Sequence, residues 1–123
     1  MHSATQRVLD AAERLGLQLN VTEFPQGTRT AKDAAEAIGC QVGQIVKSLC
    51  FIVAEQPMMV FVSGANQLDE KKLATLCKVG RKKVKRASAN AVKAATGYSI
   101  GGVSPFGHAT QMQLFMDEDL LQY

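Results

Sequence analysis

Two short apolar segments in the middle of the chain constrain its fold more than any other feature. Residues 48–54 and 58–63 are rich in valine, isoleucine and phenylalanine, and Glu55, Gln56 and Pro57 separate them. Short β-branched and aromatic runs on either side of a turn are typical of adjacent antiparallel strands. Because the runs are apolar at most positions, we expect a hairpin that is buried on much of both faces.

Weaker periodic patterns predict further short elements around this hairpin. Helical spacing of apolar residues, with a capping or stop residue nearby, predicts helices over residues 3–15, 30–38, 69–76 and 88–95. Alternation or β-rich composition predicts strands over residues 17–21, 79–87 and 112–116. Polar residues 26–29 are expected to form a loop, and helical turns are expected at 41–46 and 117–121.

The order of these elements indicates the fold class. Strands and helices do not alternate strictly, which favours an α+β fold with a mixed, mainly antiparallel sheet flanked by short helices. The chain has 123 residues and shows neither a repeat nor a linker, so we expect a single domain over residues 1–123.

The charge distribution is more informative than the net charge of +3. Six cations and no acid lie within residues 78–86, whereas Asp117, Glu118 and Asp119 form an acidic group. A basic patch attracts a phosphate backbone through counterion release. The alternative is a solvated strand edge, on which lysines discourage aggregation.

The spacing of the cysteines and the hydropathy of the chain indicate whether a metal site or a membrane span is expected. Cys40, Cys50 and Cys77 are widely spaced and no C-x-x-C pair or histidine cluster accompanies them, so no metal site is expected. They are expected to be reduced core residues of a cytoplasmic protein. No apolar run approaches the roughly 18 residues that span a bilayer, and no secretory signal is expected at the start of the chain.

Lys47 and the segment 101–107 are candidates for the chemistry. Lys47 stands among Ile45, Val46, Leu49 and Cys50, so its ammonium must reach water or face a polar cavity. Three glycines and a proline in residues 101–107 predict a rigid loop whose main-chain N–H groups a ligand can approach. The alternative for Lys47 is a lysine at a strand end that reaches solvent. The alternative for the segment 101–107 is an ordinary tight connection between two elements.

A serine hydrolase is a further candidate. It would use Ser104 and His108, with Asp117 as the third member of a triad, and it requires the serine and histidine side chains to lie within hydrogen-bonding reach. The spacing does not demand this arrangement, and His2 stands too near the terminus to contribute.

Several motifs in order resemble one protein family. They are residues 30–39 and 44–49, Ser63-Gly64 followed by Lys72-Leu73, Ala87-Ser88 with Thr96-Gly97-Tyr98, and the Gly-Gly-Val-Ser-Pro-Phe-Gly run at 101–107. Together they resemble the YbaK/prolyl-tRNA synthetase-associated domain family, and the resemblance covers most of the chain from about residue 30 to residue 121.

The resemblance implies a YbaK-like fold and a free-standing editing domain that needs no cofactor. Such a hydrolase cleaves the ester of mischarged tRNA, with proline tRNA carrying cysteine, alanine or another small amino acid as the expected substrate. The alternative is a non-catalytic module of the same ancestry that binds tRNA or a synthetase.

The resemblance also implies roles for individual residues. Lys47 matches the hallmark active-site lysine and would hold the acyl carbonyl or the terminal ribose and phosphate. Gly101 and Gly102 would offer backbone groups near the ester, and a ribose hydroxyl of the substrate would activate the attacking water. The aminoacyl pocket would be lined by Ser104, Pro105, Phe106 and Gly107, and the tRNA backbone would be held by Lys82, Lys83, Lys85 and Arg86.

Members of this family continue with another strand, a glycine–Thr/Ser–proline loop and a terminal helix that help to close the pocket. We expect this chain, which ends at Tyr123, to lack them. A sheet edge left open in this way would favour a homodimer. The expected partners are therefore aminoacyl-tRNA, prolyl-tRNA synthetase and a second copy of the chain, with no membrane.

Overall fold

The structure, a computed structural model, describes residues 3–22 and 30–123. His2, the predicted loop at 26–29 and the expected strand end before Pro25 lie outside the described residues. The described helices are α1 (Ser3–Arg14), α2 (Ala31–Ile38), α3 (Glu70–Cys77) and α4 (Ala89–Thr96). The described strands are β1 (Val46–Val53), β2 (Gln56–Ser63), β3 (Val84–Arg86) and β4 (Gln113–Met116).

The hairpin of β1 and β2 forms the centre of the sheet. The two strands pair antiparallel from Val46 opposite Ser63 to Val53 opposite Gln56. The strand order is β3-β1-β2-β4, in which β3 runs antiparallel to β1 and β4 runs parallel to β2. The predicted α+β fold with a mixed, mainly antiparallel sheet is confirmed.

Alternate residues of the hairpin face two separate apolar layers, because successive side chains of a strand point to opposite faces. Phe51 and Val60 pack with Leu73 of α3 on one face. Cys50 and Met59 pack with Val92 of α4 on the other face, and Val103 packs against the same cluster. The loop that contains Gly101 therefore belongs to the face opposite α3.

The predicted helix boundaries are confirmed by the caps. The Thr30 hydroxyl accepts the backbone N–H of Asp33 at 3.0 Å, and the Ser88 hydroxyl accepts that of Ala91 at 3.2 Å. Gly39 and Gly97 follow their helices with φ values of 84° and 82°, which a residue with a side chain rarely adopts. Short polar side chains and glycine thus mark the helix ends in this chain.

The strand predicted at residues 17–21 is wrong. Residues 17–22 have no regular secondary structure, and Leu17 and Val21 are 45% and 42% exposed. Alternation of apolar and polar residues makes a strand only where a neighbouring strand takes up the free N–H and C=O groups. In the described part of the sheet no strand pairs with this segment.

The basic segment is a strand over only part of its predicted length. Val84–Arg86 forms β3, whereas Arg81–Lys83 forms a 3-10 turn. The turn is closed by the N–H of Lys83, which donates to the carbonyl of Gly80 at 3.0 Å. The Arg81 side chain donates to the carbonyl of Val84 at 3.1 Å and pairs with Glu70. The hairpin turn also differs from its prediction: Ala54 and Glu55 take positive φ values, and Gln56 and Pro57 already belong to β2.

Asp117 links the end of β4 to the end of β2 by hydrogen bonds. Its N–H donates to the carbonyl of Phe61 at 2.7 Å, and its carboxylate accepts the N–H of Ser63 at 3.1 Å and the side-chain amide of Asn66 at 2.8 Å. The 3-10 turn Glu118–Gln122 follows, and Asp119 donates its N–H to the other carboxylate oxygen at 3.0 Å. Three hydrogen bonds of Asp117 therefore join the C-terminal segment to β2 and the loop after it, and a fourth shapes the turn itself.

Tyr98 and Arg7 fasten the glycine–proline loop. Tyr98 is only 2% exposed, and its hydroxyl donates to the carbonyl of Phe106 at 2.7 Å. The Arg7 side chain of α1 donates to the carbonyl of Gly107 at 2.8 Å, with its guanidinium 5.2 Å from the centre of the Tyr98 ring. Both side chains thus hold the loop by its carbonyl groups.

Removing the Tyr98 hydroxyl should destabilise the fold. Tyr98→Phe leaves the part-buried Phe106 carbonyl without its donor, and we expect a loss of about 1–3 kcal/mol in the free energy of unfolding. Tyr123→Phe is the control, because Tyr123 is 55% exposed and surface changes stay within about 0.5 kcal/mol. Urea denaturation measures both, and equal midpoints for the two variants would contradict the prediction.

The contribution of Asp117 to stability should depend on pH. Hydrogen bonds from Asn66, Asp119 and Ser63, together with the charge of Lys47, lower the pKa of Asp117 below its ordinary value of 3.8. A lowered folded-state pKa means that the stabilisation is present above the ordinary value and is lost as the pH falls through the folded-state value.

We therefore expect Asp117→Asn to cost stability near neutral pH and to cost progressively less below about pH 4. Urea midpoints of both chains over a pH series measure this difference. Glu118→Gln, which removes a charge from the next residue in an exposed position, should show a small difference at every pH. A cost of Asp117→Asn that is the same at all pH values would contradict the role assigned to the carboxylate.

Candidate active site

Lys47 lies near the start of β1 on the face that carries α3. It precedes Leu49 and Phe51 on the same face of the strand, so its aliphatic stem continues the apolar layer while its end leaves it. The side chain is half-buried, and its ammonium donates to the backbone carbonyl of Asn66 in the loop after β2. An ammonium has three donors, so two remain for a ligand.

A cavity of about 780 Å³ opens beside Lys47. Leu49 and Phe51 give it an apolar side, while its charged lining residues are Lys47, Lys71, Arg81, Arg86, Asp69 and Glu70. Arg81 is paired with Glu70, and Asp69 caps α3 through the N–H groups of residues 71 and 72. Lys47, Lys71 and Arg86 therefore leave this cavity, the Lys47 cavity, with an excess of positive charge that suits an anionic ligand.

Gly101 lines a second cavity of about 170 Å³ on the α4 side, with Ser48, Val92 and Val103 among its neighbours. Leu49 and Arg86 line both cavities. Since β3 pairs with β1 only at residues 51–53, the preceding edge of β1 is left open, and the two cavities adjoin there. The structure therefore brings Lys47 and Gly101 to neighbouring cavities rather than into one.

The two adjacent glycines differ in what they offer a ligand. Gly101 takes a φ of +83° and a side chain built on it would meet open space. Gly102 donates its N–H to the carbonyl of Ser99 at 2.9 Å and lines a separate cavity of about 230 Å³ against α1. Among the described backbone hydrogen bonds none uses the N–H of Gly101, so Gly101 is the better candidate for a backbone donor.

The rest of the loop is held by its own hydrogen bonds. The Ser104 hydroxyl accepts the N–H of Phe106 at 3.1 Å, and Gly107, with a φ of +74°, lies close under Ala11 of α1. Ser104, Pro105, Phe106 and Gly107 line neither the Lys47 cavity nor the Gly101 cavity. Their assignment to an aminoacyl pocket stays a prediction.

The geometry of this loop does not support a serine hydrolase. The Nε2 of His108 lies 2.7 Å from the carbonyl oxygen of Ser104, not from its hydroxyl, which is occupied by Phe106. The Asp117 carboxylate is taken up by Asn66, Ser63 and Asp119. A thiol nucleophile is disfavoured as well, because burial raises the pKa of Cys50 and so reduces its thiolate.

The four cations predicted to hold a nucleic-acid backbone are all exposed. Lys82 and Lys83 lie in the 3-10 turn, and Lys85 and Arg86 lie on β3, at the outer edge of the sheet. Arg86 lines the Lys47 cavity with its guanidinium 5.6 Å from the centre of the Phe51 ring, whereas Lys85 lies opposite Ile52, whose side chain belongs to the α4 face. The cations thus spread over both sides of one edge strand.

Sequence patterns did not indicate that Asn66, Lys71 or Arg81 lies near Lys47. They offered Asp117 only as the third member of a serine-hydrolase triad. Asn66 follows the Ser63-Gly64 pair, and Asp117 stands in the acidic group 51 positions further on, but the sequence between them carries no signal of their contact. Within residues 3–22 and 30–123, no three His, Cys, Asp or Glu side chains gather as metal ligands would. No helix in the same part of the chain is long and apolar enough to cross a membrane.

The chain is similar to several known proteins. A crystal structure of a putative trans-editing enzyme for prolyl tRNA synthetase superimposes on 100% of this chain and 77% of its own length, with a TM-score of 0.92 and 43% identity. The chain is 34% identical to the uncharacterized protein YwhH of Bacillus subtilis, over 85% of this chain and 65% of that protein. It is 35% identical to the putative Cys-tRNA(Pro)/Cys-tRNA(Cys) deacylase EbsC of Enterococcus faecalis, over 76% of this chain.

The chain spans 57% of EbsC, so it corresponds to rather more than half of that relative. The family model of the aminoacyl-tRNA editing domain matches residues 25–123, which includes Lys47, the segment 101–107 and Asp117. The sheet, the lysine on β1 and the glycine–proline loop all lie within the matched residues. This chain belongs to the aminoacyl-tRNA editing domain family.

Proposed function

We propose that this chain is a trans-editing aminoacyl-tRNA deacylase, a hydrolase of the ester that joins a wrong amino acid to tRNA. The observation that carries the proposal is the half-buried ammonium of Lys47 at a cationic cavity that adjoins the cavity of Gly101. Membership of the editing family and the name of EbsC as a deacylase support it.

The reaction uses charge stabilisation rather than a protein nucleophile. Water adds to the acyl carbonyl, the ester C–O bond then breaks, and the products are a free amino acid and tRNA with a free ribose hydroxyl. Lys47 stabilises the negative charge that develops on the carbonyl oxygen, and the N–H of Gly101 is a second donor. The other ribose hydroxyl of the terminal nucleotide accepts a proton from the attacking water while its own proton passes to the ribose oxygen that leaves the acyl carbon.

The two cavities divide the substrate between them. The cationic Lys47 cavity accepts the terminal ribose and phosphate, and Arg86 at its border continues toward the exposed lysines of β3 and the preceding turn. The smaller Gly101 cavity suits the amino-acid part of the ester and favours a small side chain. Selectivity among such side chains amounts to about 1–3 kcal/mol per methylene.

Proline tRNA carrying cysteine, alanine or another small amino acid is the substrate we propose, since the names of the relatives refer to Cys-tRNA(Pro) and to prolyl tRNA synthetase. The protein works on aminoacyl-tRNA in the cytoplasm, with prolyl-tRNA synthetase and a second copy of the chain as proposed partners. Deacylation rates for proline tRNA charged with cysteine, alanine, serine or threonine would establish the preference.

Replacing Lys47 should abolish most of the turnover without unfolding the chain. Loss of one donor that stabilises an oxyanion costs about 10²–10³ in kcat, so we expect Lys47→Ala to release amino acid from mischarged proline tRNA that much more slowly. Lys32→Ala is the matched control, because it removes the same charge from an exposed position on α2. Circular dichroism checks that both variants fold.

The same assay separates the deacylase from a non-catalytic binding module. Unchanged turnover in Lys47→Ala would remove the proposed mechanism. Binding of tRNA by the native chain with no release of amino acid would favour the binding module instead.

The cations on β3 and in the preceding turn should account for part of the salt dependence of tRNA binding. Lys82→Gln combined with Lys85→Gln removes two exposed charges from this edge. For each phosphate that the variant no longer neutralises, the slope of log affinity against log salt should fall in magnitude by about 0.7–0.9. Titrations with uncharged tRNA at several salt concentrations measure the slope, and Lys32→Gln should leave it unchanged. A double variant with the native slope would place the tRNA elsewhere.

A further inference from the structure

The ammonium of Lys47 is positioned by a hydrogen bond to a loop and not by a contact within its own strand. Within the described residues, the single protein acceptor of its ammonium is the backbone carbonyl of Asn66. That carbonyl belongs to the loop between β2 and α3, so the position of the ammonium depends on how firmly residue 66 is held. A flexible four-carbon side chain otherwise has many rotamers.

The side chain of Asn66 connects this loop to the C-terminal segment. Its Nδ2 donates to the carboxylates of Asp117 and Asp119, both at 2.8 Å, which uses both amide hydrogens. Asp117 is itself held by the N–H groups of Ser63 and Asp119 at 3.1 Å and 3.0 Å. The network therefore joins the ends of β2 and β4 to the carbonyl that receives Lys47.

Neither Asn66 nor Asp117 lines the Lys47 cavity. Both line a different groove of about 400 Å³, between α3 and β4, together with Leu76 and Phe115. A ligand in the Lys47 cavity thus has the ammonium within reach but not these two side chains. Their influence on a ligand there is therefore indirect, through Lys47 or through the adjoining residues 67–69, which line both cavities.

We infer that Asn66 and Asp117 are positioning residues, which hold the ammonium of Lys47 at the Lys47 cavity by fixing the carbonyl of residue 66. The role of these two residues in the reaction rests on the proposed deacylase function, whereas their effect on the position of the Lys47 ammonium does not. Loss of either side chain frees the loop, and the ammonium then spends less time where the carbonyl oxygen of the ester develops charge.

A double-mutant cycle with Lys47 tests the role in turnover. Asp117→Asn and Asn66→Ala should each lower kcat for mischarged proline tRNA by about tenfold and change KM by less than about twofold. In the Lys47→Ala background neither should lower kcat further, because the group through which they act is gone. Glu118→Gln, from the same turn, should leave kcat at the native value.

The ¹⁵N chemical shift of the Lys47 ammonium, in lysine-labelled protein, tests the coupling without any turnover. It should move in Asp117→Asn and in Asn66→Ala but not in Glu118→Gln, with the signal assigned by its absence in Lys47→Ala. If Asp117→Asn fails to fold, the change of the Lys47 shift in Asn66→Ala still tests the inference.

Equal losses of kcat in the two backgrounds would overturn the inference, because they would show a merely structural effect. An unmoved Lys47 shift in a folded Asp117→Asn variant would overturn it as well. A native chain without turnover, but with the expected change of shift, would instead contradict the proposed function and leave the coupling supported.

Discussion

Eight residue pairs join β1 to β2, and their register decides on which face of the sheet every other group lies. With Val46 opposite Ser63, the odd-numbered residues of β1 face α3, and the even-numbered residues face α4. A shift by one residue would turn Lys47 toward the opposite layer and expose half of the core. The position of the lysine is therefore a consequence of the hairpin, which both apolar layers stabilise at once.

The candidate site is built where this sheet is incomplete. Because β3 pairs only with the second half of β1, an open edge remains beside Leu49, and there the cationic Lys47 cavity meets the smaller Gly101 cavity. The acceptor of Lys47 and the glycine–proline loop are each held by a distant part of the chain. The C-terminal segment holds the acceptor of Lys47 through Asn66, and α1, which precedes the residues matched by the family model, holds the glycine–proline loop through Arg7.

Much of the fold followed from patterns of neighbouring residues. The hairpin, the four helices and β4 were predicted from local periodicity, and the capping side chains of Thr30 and Ser88 marked the start of two helices. The mixed sheet was predicted from the order of the elements. Residues 17–21 show the limit of this reasoning, because their alternation is present but no neighbouring strand in the described residues pairs with them. The basic segment shows another limit: residues 81–83 form a 3-10 turn, and Arg81 pairs with Glu70 of α3, a contact that the local pattern does not indicate.

The sequence by itself determined the α+β class, the place of Lys47 at the start of an apolar strand and the irregular segment at 101–107, because these depend on residues close together in the chain. Its motifs, taken in order, also indicated the editing family. Only the tertiary structure decided that Lys47 and Gly101 occupy neighbouring cavities, that the N–H of Gly102 is already bonded, and that Asn66 and Asp117 lie beside the lysine. Hydrogen bonds between residues about 50 positions apart leave no periodic trace in a sequence, because their geometry exists only once the strands have paired.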